Sequence, residues 1–320
     1  MQTKTRALLG QLSDMDMRLL QIFKAVVDCG GFSAAELELN IDVSTISRHI
    51  RDLETRLGLT LCQRGRAGFM LTTEGRHVHE QTIKLLSAVD GFRAAIDDVH
   101  QRMGGQLNIA LFEKTASNPA SRVHHALSLF VERAPAVHLN LHVRPINEIE
   151  RGVISDQYQI GIIPGHRSSQ SLHYDYLFDE QMQLYCARNH PLFETDPELT
   201  DWDDIRAHAL AGLGYHSPNM QMSHRTNLPR KASASDQEGV ATLILSGKFI
   251  GFLPTHYTRQ FESDGQIKAL NPSRFFYDVK FFSIVRRSPM PARSTQLFQQ
   301  CLMQAHAQQV NPTKSRNGRG

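Results

Sequence analysis

The stretch Asp42 to Leu57, DVSTISRHIRDLETRL, decides how the first part of this chain folds. Val43, Ile46, Ile50, Leu53 and Leu57 recur at alternating spacings of three and four, which sets them on one apolar stripe of a helix. The opposite face carries Ser44, Thr45, Ser47, Arg48 and Arg51, and no glutamate interrupts the run from Ser44 to Arg51. Short hydroxyls beside two guanidinium groups suit a helix that enters a major groove, bonds to phosphates and reaches base edges. The solvated face of an ordinary amphipathic helix has a similar composition, so the neighbouring segments decide between the two.

Toward the N-terminus, Asp16 is placed to cap a helix carrying Leu19, Leu20, Phe23, Val26 and Val27, which Gly30-Gly31 ends. Ser33-Ala-Ala-Glu36 then has the spacing of a capping box and opens a short second helix running to Asn40. Asp42 is the expected cap of the third. Toward the C-terminus, Gly58 closes the third helix, and Leu59 to Leu71 reads as a hairpin around Arg64-Gly-Arg-Ala-Gly68. Its tip presents Arg64 and Arg66 to phosphates or a minor groove. Two helices joined by a tight turn and followed by such a wing make a winged helix-turn-helix. The expected domain is 16–75, behind a polar leader 1–15. Its candidate DNA contacts are Ser33, Val43, Ser44, Thr45, Ser47, Arg48, Arg51, Arg64 and Arg66.

Bulk composition adds little to this. The chain has 320 residues, enough for two domains, and its net charge of +3 is matched by Lys314, Arg316 and Arg319 of a basic tail at 307–320. Between residues 16 and 76 acidic and basic side chains balance, so the case for nucleic acid rests on where the arginines sit. No apolar run has the length of a membrane span and no signal-peptide core opens the chain; a cytoplasmic protein without a membrane partner is expected. Cys29, Cys62, Cys186 and Cys301 are scattered without a CxxC pair, and the histidines show no zinc-ligand spacing, so neither a metal nor a cofactor is expected. GxSxG, P-loop and GxGxxG motifs are missing, no nucleophile can be named, and the chain is not expected to be an enzyme.

From Arg76 to Met103, Val78, Thr82, Leu85, Val89, Phe92, Ile96, Val99 and Met103 step by four and three in turn. This is a heptad seam, the mark of a helix that pairs with another. A linker helix at 76–103 that makes a homodimer is expected, with Val78, Leu85, Val89, Phe92, Ile96 and Val99 at the seam; it would present two recognition helices to a two-fold operator.

Gly104-Gly105 breaks that helix, and the period changes. Leu107 to Leu111 reads as a strand, Pro119 to Ala134 as a helix, Val137 to Val143 as an alternating strand, Asn147 to Ser155 as a helix and Ile160 to Ile163 as a buried strand, together implying a parallel sheet. Further strands at Met182–Arg188, 210–213, 249–253 and 280–285, with helices at 201–205, 236–246 and 295–307, complete a two-lobed α/β domain over 104–306. Lobe 1 is about 104–164 and 268–306, and lobe 2 about 165–267. Between the lobes a cleft is expected.

The ordered pattern Asp16 to Phe23, Gly31-Phe32-Ser33-Ala34-Ala35, Ser47-Arg48, Ile50-Arg51-Asp52-Leu53-Glu54, Leu57-Gly58, Leu61, Arg64, Leu71-Thr72 and Glu74-Gly75 resembles the DNA-binding domain of LysR-type transcriptional regulators. Three places depart from it: Asp42-Val43-Ser44 stands where Ser-Gln-Pro is common, Cys62 where Phe is usual, and Arg64-Gly-Arg-Ala-Gly68 where the wing is more varied. Asn189-His190-Pro191-Leu192, Gly247-Lys248-Phe249-Ile250-Gly251 and Leu253-Pro254 are similar to that family's effector domain. The resemblance implies a periplasmic-binding-protein-like fold, a small-molecule effector between the lobes, frequent homotetramers, and RNA polymerase as a candidate partner. It also implies that the loop after the first strand lines the cleft. There Lys114, Thr115, Ser117 and Asn118 precede an expected helix N-terminus, an arrangement suited to a carboxylate or other anion, although Ser117 or Asn118 could equally be a helix cap. Pro164 and His216, at later strand ends, join the effector-site expectation by topology. Two other classes stay open at this point: an enzyme fused to a DNA-binding head, and an architectural DNA-binding protein with no effector.

Overall fold

The computed structural model describes residues 12–65, 68–99, 103–196 and 201–307. They form two units that divide between Phe92 and Arg93.

In the first unit the helices are α1 (Asp14–Asp28), α2 (Phe32–Leu39) and α3 (Val43–Leu57), followed by strands β1 (Cys62–Gly65) and β2 (Gly68–Leu71) and by α4 (Thr73–Val99), which runs past the division. Leu19, Phe23, Val26, Ala35, Ile46, Ile50, Leu53 and Leu61 are buried together, so the stripe that opened the reading of α3 forms this core. Each large apolar side chain of this kind contributes roughly 1.5–3 kcal/mol. β1 and β2 pair antiparallel from Cys62–Leu71 to Gly65–Gly68, which makes the wing.

Two caps differ from expectation. Ser13, not Asp16, caps α1: its hydroxyl accepts from the Asp16 N–H at 3.3 Å, and its own N–H donates to the Asp16 carboxylate at 2.8 Å. Asp16 is thereby freed to sink into the head and receive Arg56 at 2.9 Å. The Arg56 guanidinium, with Ser13, holds the Asp16 carboxyl far below the usual carboxylate range. The Ser33–Glu36 box does not form. α2 starts from Gly31 at φ 154° without a side-chain cap, because Phe32 is drawn inward against Phe69 (ring centroids 5.6 Å) and carries Ser33 past the cap position.

The second unit contains β3 (Gln106–Leu111), α5 (Val123–Arg133), β4 (His138–Val143), α6 (Ile146–Ile154), β5 (Ile160–Pro164) and β6 (Leu172–Ala187). It continues with α7 (Trp202–Arg206), β7 (Leu210–Leu213), α8 (Pro218–Arg225), β8 (Arg230–Ala234), α9 (Gln237–Leu245) and β9 (Ile250–Pro254). α10 (Thr255–Ser263), β10 (Ile267–Ala269), β11 (Phe276–Arg286) and α11 (Arg293–Ala307) complete it. The sheet order is β4-β3-β5-β11-β6-β9-β7-β8, with β10 paired to β6.

The sheet is mixed as a whole and keeps the parallel arrangement read for its first three strands. β4, β3 and β5 are parallel, as are β8, β7 and β9, but β6 and β11 run antiparallel to each other from Leu172–Arg286 to Gln183–Phe276. One end of this ribbon pairs with β5 and the other with β9, so β6 and β11 cross from lobe to lobe. Phe281, Phe178, Phe130, Phe298, Tyr185 and Phe252 fill the core around it.

Candidate functional site

α3 is held at both ends by local chemistry. At its start the Asp42 carboxylate accepts from the Thr45 N–H at 2.9 Å and the Thr45 hydroxyl at 2.7 Å, and also from the Ser44 hydroxyl. At its end Gly58 takes the left-handed conformation (φ 65°). Glu54 fastens the helix to the wing by accepting from the N–H groups of Leu61 (2.7 Å) and Cys62 (3.3 Å). Thr72 donates to Thr60 at 2.7 Å and accepts from the Gly75 N–H at 2.8 Å. A Cβ on Gly75 would lie 1.9 Å from the Leu61 carbonyl oxygen, so only glycine allows α4 to start this close to the wing.

Ser44, Arg48 and Arg51 share the exposed face of α3, with Thr45 and Ser47 half-buried beside them. Among the described residues neither Arg48 nor Arg51 has a carboxylate partner, whereas Arg56 is spent on Asp16. Val43 turns against the head's own core instead of outward, and Ser33 is exposed on α2. Arg64 lies in β1; Arg66, the other wing arginine, lies outside the described residues.

Along α4 the seam divides. Val78 and Leu85 pack against the head's core and Thr82 is buried, donating to the Val78 carbonyl at 2.8 Å. Val89 is half-buried, while Phe92 (68%) and Ile96 (42%) are exposed. Val99 closes α4.

In the second unit the loop after β3 does not run straight into a helix. A 3-10 turn over Thr115–Ser117 intervenes and α5 begins only at Val123, so neither Ser117 nor Asn118 caps it and the N-terminus of α5 does not back the loop. The reason lies in Lys114, at φ 59°, which turns the loop toward lobe 2. There Lys114 pairs with Glu238 and lies 4.1 Å over the Tyr257 ring. The hydroxyl of Ser117 is 3.1 Å from His256 Nδ1, and His256 Nε2 is 2.8 Å from Glu180, which also receives Asn118 at 3.3 Å. Thr115 is buried and donates back to the Phe112 carbonyl.

Glu113 makes the most telling contact. Its carboxylate accepts from the Gln237 N–H, the first of α9, at 2.8 and 2.9 Å. Burial, reinforced by Asp236 and Glu180 and opposed by the Gln237 N–H and Lys114, pushes its carboxyl up to about 7. The Tyr215 hydroxyl is buried near Glu113 and Asp236 without a hydrogen-bond partner among the described residues; burial and both carboxylates raise its phenol further.

Pro164 is buried at the end of β5 opposite Phe281, and the exposed His216 lies 5.2 Å from the His166 ring. They are thus gathered by the turn after β5. That turn, α8 and β11 enclose a cavity of about 490 Å³ lined by His166, Arg167, Gln221, Arg225, Lys280 and Phe282. Burial lowers the affinity of His166 for a proton despite Glu150 nearby. Arg167 is held by Glu150 at 3.1 Å, while Arg225 and Lys280 have no carboxylate partner among the described residues. Glu113, Tyr215, Glu180, His256 and the cavity's basic residues escaped the reading of the sequence. The signal within reach was Asp236 before an apolar run, which marks α9's N-terminus as a place for an acid.

Among the described residues no group of His, Cys, Asp and Glu is arranged to hold a metal ion, and no helix is long and apolar enough to cross a membrane.

Residues 17–76 match the family described as bacterial regulatory helix-turn-helix protein, lysR family, and residues 100–307 match the LysR substrate binding domain. The chain is 44% identical over 283 residues to the HTH-type transcriptional activator BauR of Pseudomonas aeruginosa, spanning 88% of this chain and 93% of that protein. It is 26% identical over 309 residues to the HTH-type transcriptional regulator GltR of Bacillus subtilis, covering 94% of this chain and all of that one. Among solved structures, full-length CbnR complexed with its target DNA matches with a TM-score of 0.60 at 18% identity, over 90% of this chain and 99% of that one. The Vibrio cholerae virulence activator AphB matches at 0.55 and 17%, over 91% and 99%. At these identities the structural likeness speaks for the fold.

Proposed function

This chain belongs to the LysR family of transcriptional regulators, with a DNA-binding head and an effector-binding domain, and we propose that it couples a small anion held in its inter-lobe cleft to operator binding by α3 and the wing. It is a regulator and not an enzyme. Arg48 and Arg51, with Ser44, Thr45 and Ser47 beside them and Arg64 and Arg66 on the wing, serve the duplex, the arginines chiefly at phosphates. Ser33, at the start of α2, completes the DNA contacts, while Val43, packed on the head's core at the base of α3, holds the helix beneath them. The exposed part of the α4 seam, Val89, Phe92, Ile96 and Val99, pairs with a second copy, while Val78 and Leu85 brace the helix on its own head; homotetramers follow from two such pairs. The protein works in the cytoplasm, where its operator is.

The observation that carries the effector reading is that the loop at Glu113–Asn118 spends nearly every polar side chain across the cleft, on α9, on α10 and on Glu180 of β6. Any anion that seats at Lys114, Thr115, Ser117 and Asn118, or between Pro164, His216 and the basic cavity, competes with these bonds and shifts the lobes. A ligand acts on a conformational equilibrium only through such differential contacts. The Pseudomonas aeruginosa relative is named an activator, and activation through RNA polymerase is carried to this chain on that ground.

The test uses the full chain. Gel retardation on the DNA flanking its own gene should be lost in Arg48→Ala/Arg51→Ala, and a panel of small carboxylates should raise the melting temperature of wild type but not of Lys114→Ala/Ser117→Ala. Unchanged retardation removes α3 from the interface; a thermal shift indifferent to the loop moves the effector elsewhere.

A further inference from the structure

We propose that Asp42 is a base-reading residue, selecting a cytosine by accepting a hydrogen bond from its exocyclic amino group in the major groove. The proposal rests on α3 being the helix that enters the groove, where the N-terminal residues of a recognition helix meet the base edges.

The Asp42 carboxylate is both exposed and fixed. Oδ1 accepts from the Thr45 N–H at 2.9 Å and from the Ser44 hydroxyl, and Oδ2 accepts from the Thr45 hydroxyl at 2.7 Å. All three donors come from the helix's own first turn, so the group is preorganised on the protein side and spends no bonds on other elements. A carboxylate offers about four acceptor sites. With two bonds on Oδ1 and one on Oδ2, Oδ2 keeps capacity for one more donor. The same donors, with Ser44 first, keep the carboxyl ionised far below the usual range.

Charge then sorts the partners. A fixed anion at the leading end of α3 is repelled by phosphate, and it offers nothing to the N7 and O6 acceptors of guanine or the O4 of thymine. The major-groove donors are the amino groups of cytosine and adenine, and Asp or Glu pairs with cytosine N4, whereas adenine is matched by the donor-and-acceptor amide of Asn or Gln. Ser44 and Thr45 add to this. Because their hydroxyl hydrogens point at Asp42, what they turn outward is acceptor capacity, so the first turn of α3 presents acceptors, and the phosphate-facing donors are left to Arg48 and Arg51 one turn on.

The experiment is selection from a random-sequence duplex library by the full chain, comparing wild type, Asp42→Asn and Asp42→Ser. Asn and Ser are themselves good helix caps, so the head keeps its fold. Wild type should enrich a cytosine at one position of each half-site, Asp42→Asn should shift that position toward adenine, and Asp42→Ser should lose the preference. In the selected duplex, replacing that cytosine by thymine should weaken wild type by about 5- to 150-fold, the fold-change equivalent to one good base contact, and leave Asp42→Ser nearly unaffected. The same enriched sequence from all three proteins overturns the proposal and reduces Asp42 to a cap while α3 stays in the groove. Failure of wild type to enrich any sequence overturns both.

Discussion

Replacing Glu113 by glutamine separates the two roles that its carboxylate combines, hydrogen-bond acceptor and buried charge. In wild type both oxygens accept from the Gln237 N–H, and the group is pushed from its ordinary 4.5 to about 7, first by burial and then by Asp236, with Lys114 and the N–H pulling the other way. Glu180, Tyr215 and Glu238 complete the titratable surroundings. A carboxyl whose folded value is raised contributes its full stability below about 4.5. That contribution falls as pH rises and levels off above about 7. At about 1.4 kcal/mol per pH unit, the interval amounts to about 3 kcal/mol. Glutamine keeps a carbonyl for Gln237 but cannot ionise, so this part of the pH dependence vanishes. The assay is built in: Trp202, the only tryptophan, packs 4.5 Å from Phe275, and its fluorescence reports urea unfolding of the second unit. Between about pH 5 and about pH 8, wild type should lose about 3 kcal/mol more than Glu113→Gln. Equal pH dependence in the two proteins, or a wild type that gains on the variant as pH rises, refutes the reasoning.

Gly75→Ala should cost the head about 2–4 kcal/mol, because the wing must retreat from a Cβ 1.9 Å from the Leu61 oxygen and give up the bonds from Thr72 N–H to Leu61 (3.0 Å) and from Gly75 N–H to Thr72 (2.8 Å). Circular dichroism melts should show the head unfolding earlier, and an unchanged transition would sink the account. Phe92→Glu should dissociate the proposed dimer in sedimentation while changing stability by no more than about 0.5 kcal/mol, whereas Leu85→Glu, placed against the head's core, should lower head stability. A Phe92 variant that sediments as wild type excludes it from the interface. Arg48→Ala should lower the slope of log affinity against log salt by about 0.9 if the arginine meets one phosphate, and an unaltered slope excludes that contact.

Much of the head was legible because its information is local. The stripe of α3, Asp42 as its cap, Gly58 after its last turn and the arginine hairpin each follow from spacing within a few residues. The misreadings there were also local but had a tertiary cause. Ser33 lost its capping role because Phe32 packs on Phe69, and Asp16 was the fourth residue of a box whose first was Ser13. In the second unit Leu107–Leu111 announced itself as a strand and Ile160–Ile163 as a buried one. Of β6 only the part from Met182 onward was legible; the part before it, with Asp175, Asp179, Glu180 and Gln181, was not, since a strand crossing between lobes changes its buried face part-way and leaves no clean period.

The sequence by itself therefore determined the sequence-adjacent chemistry: which segments of the head are helices, and which face of α3 is apolar and which carries Arg48 and Arg51. Only the tertiary structure decided the partners of charge. That Arg56 belongs to Asp16, Lys114 to Glu238, Glu113 to the first N–H of α9, and Glu180 to both His256 and Asn118 depends on groups 40 to 124 residues apart in the chain. Periodicity records burial, which a residue expresses wherever its element docks. A hydrogen bond needs two specific atoms within about 3 Å, and only the folded sheet, with β6 and β11 carrying one lobe into the other, brings such atoms together.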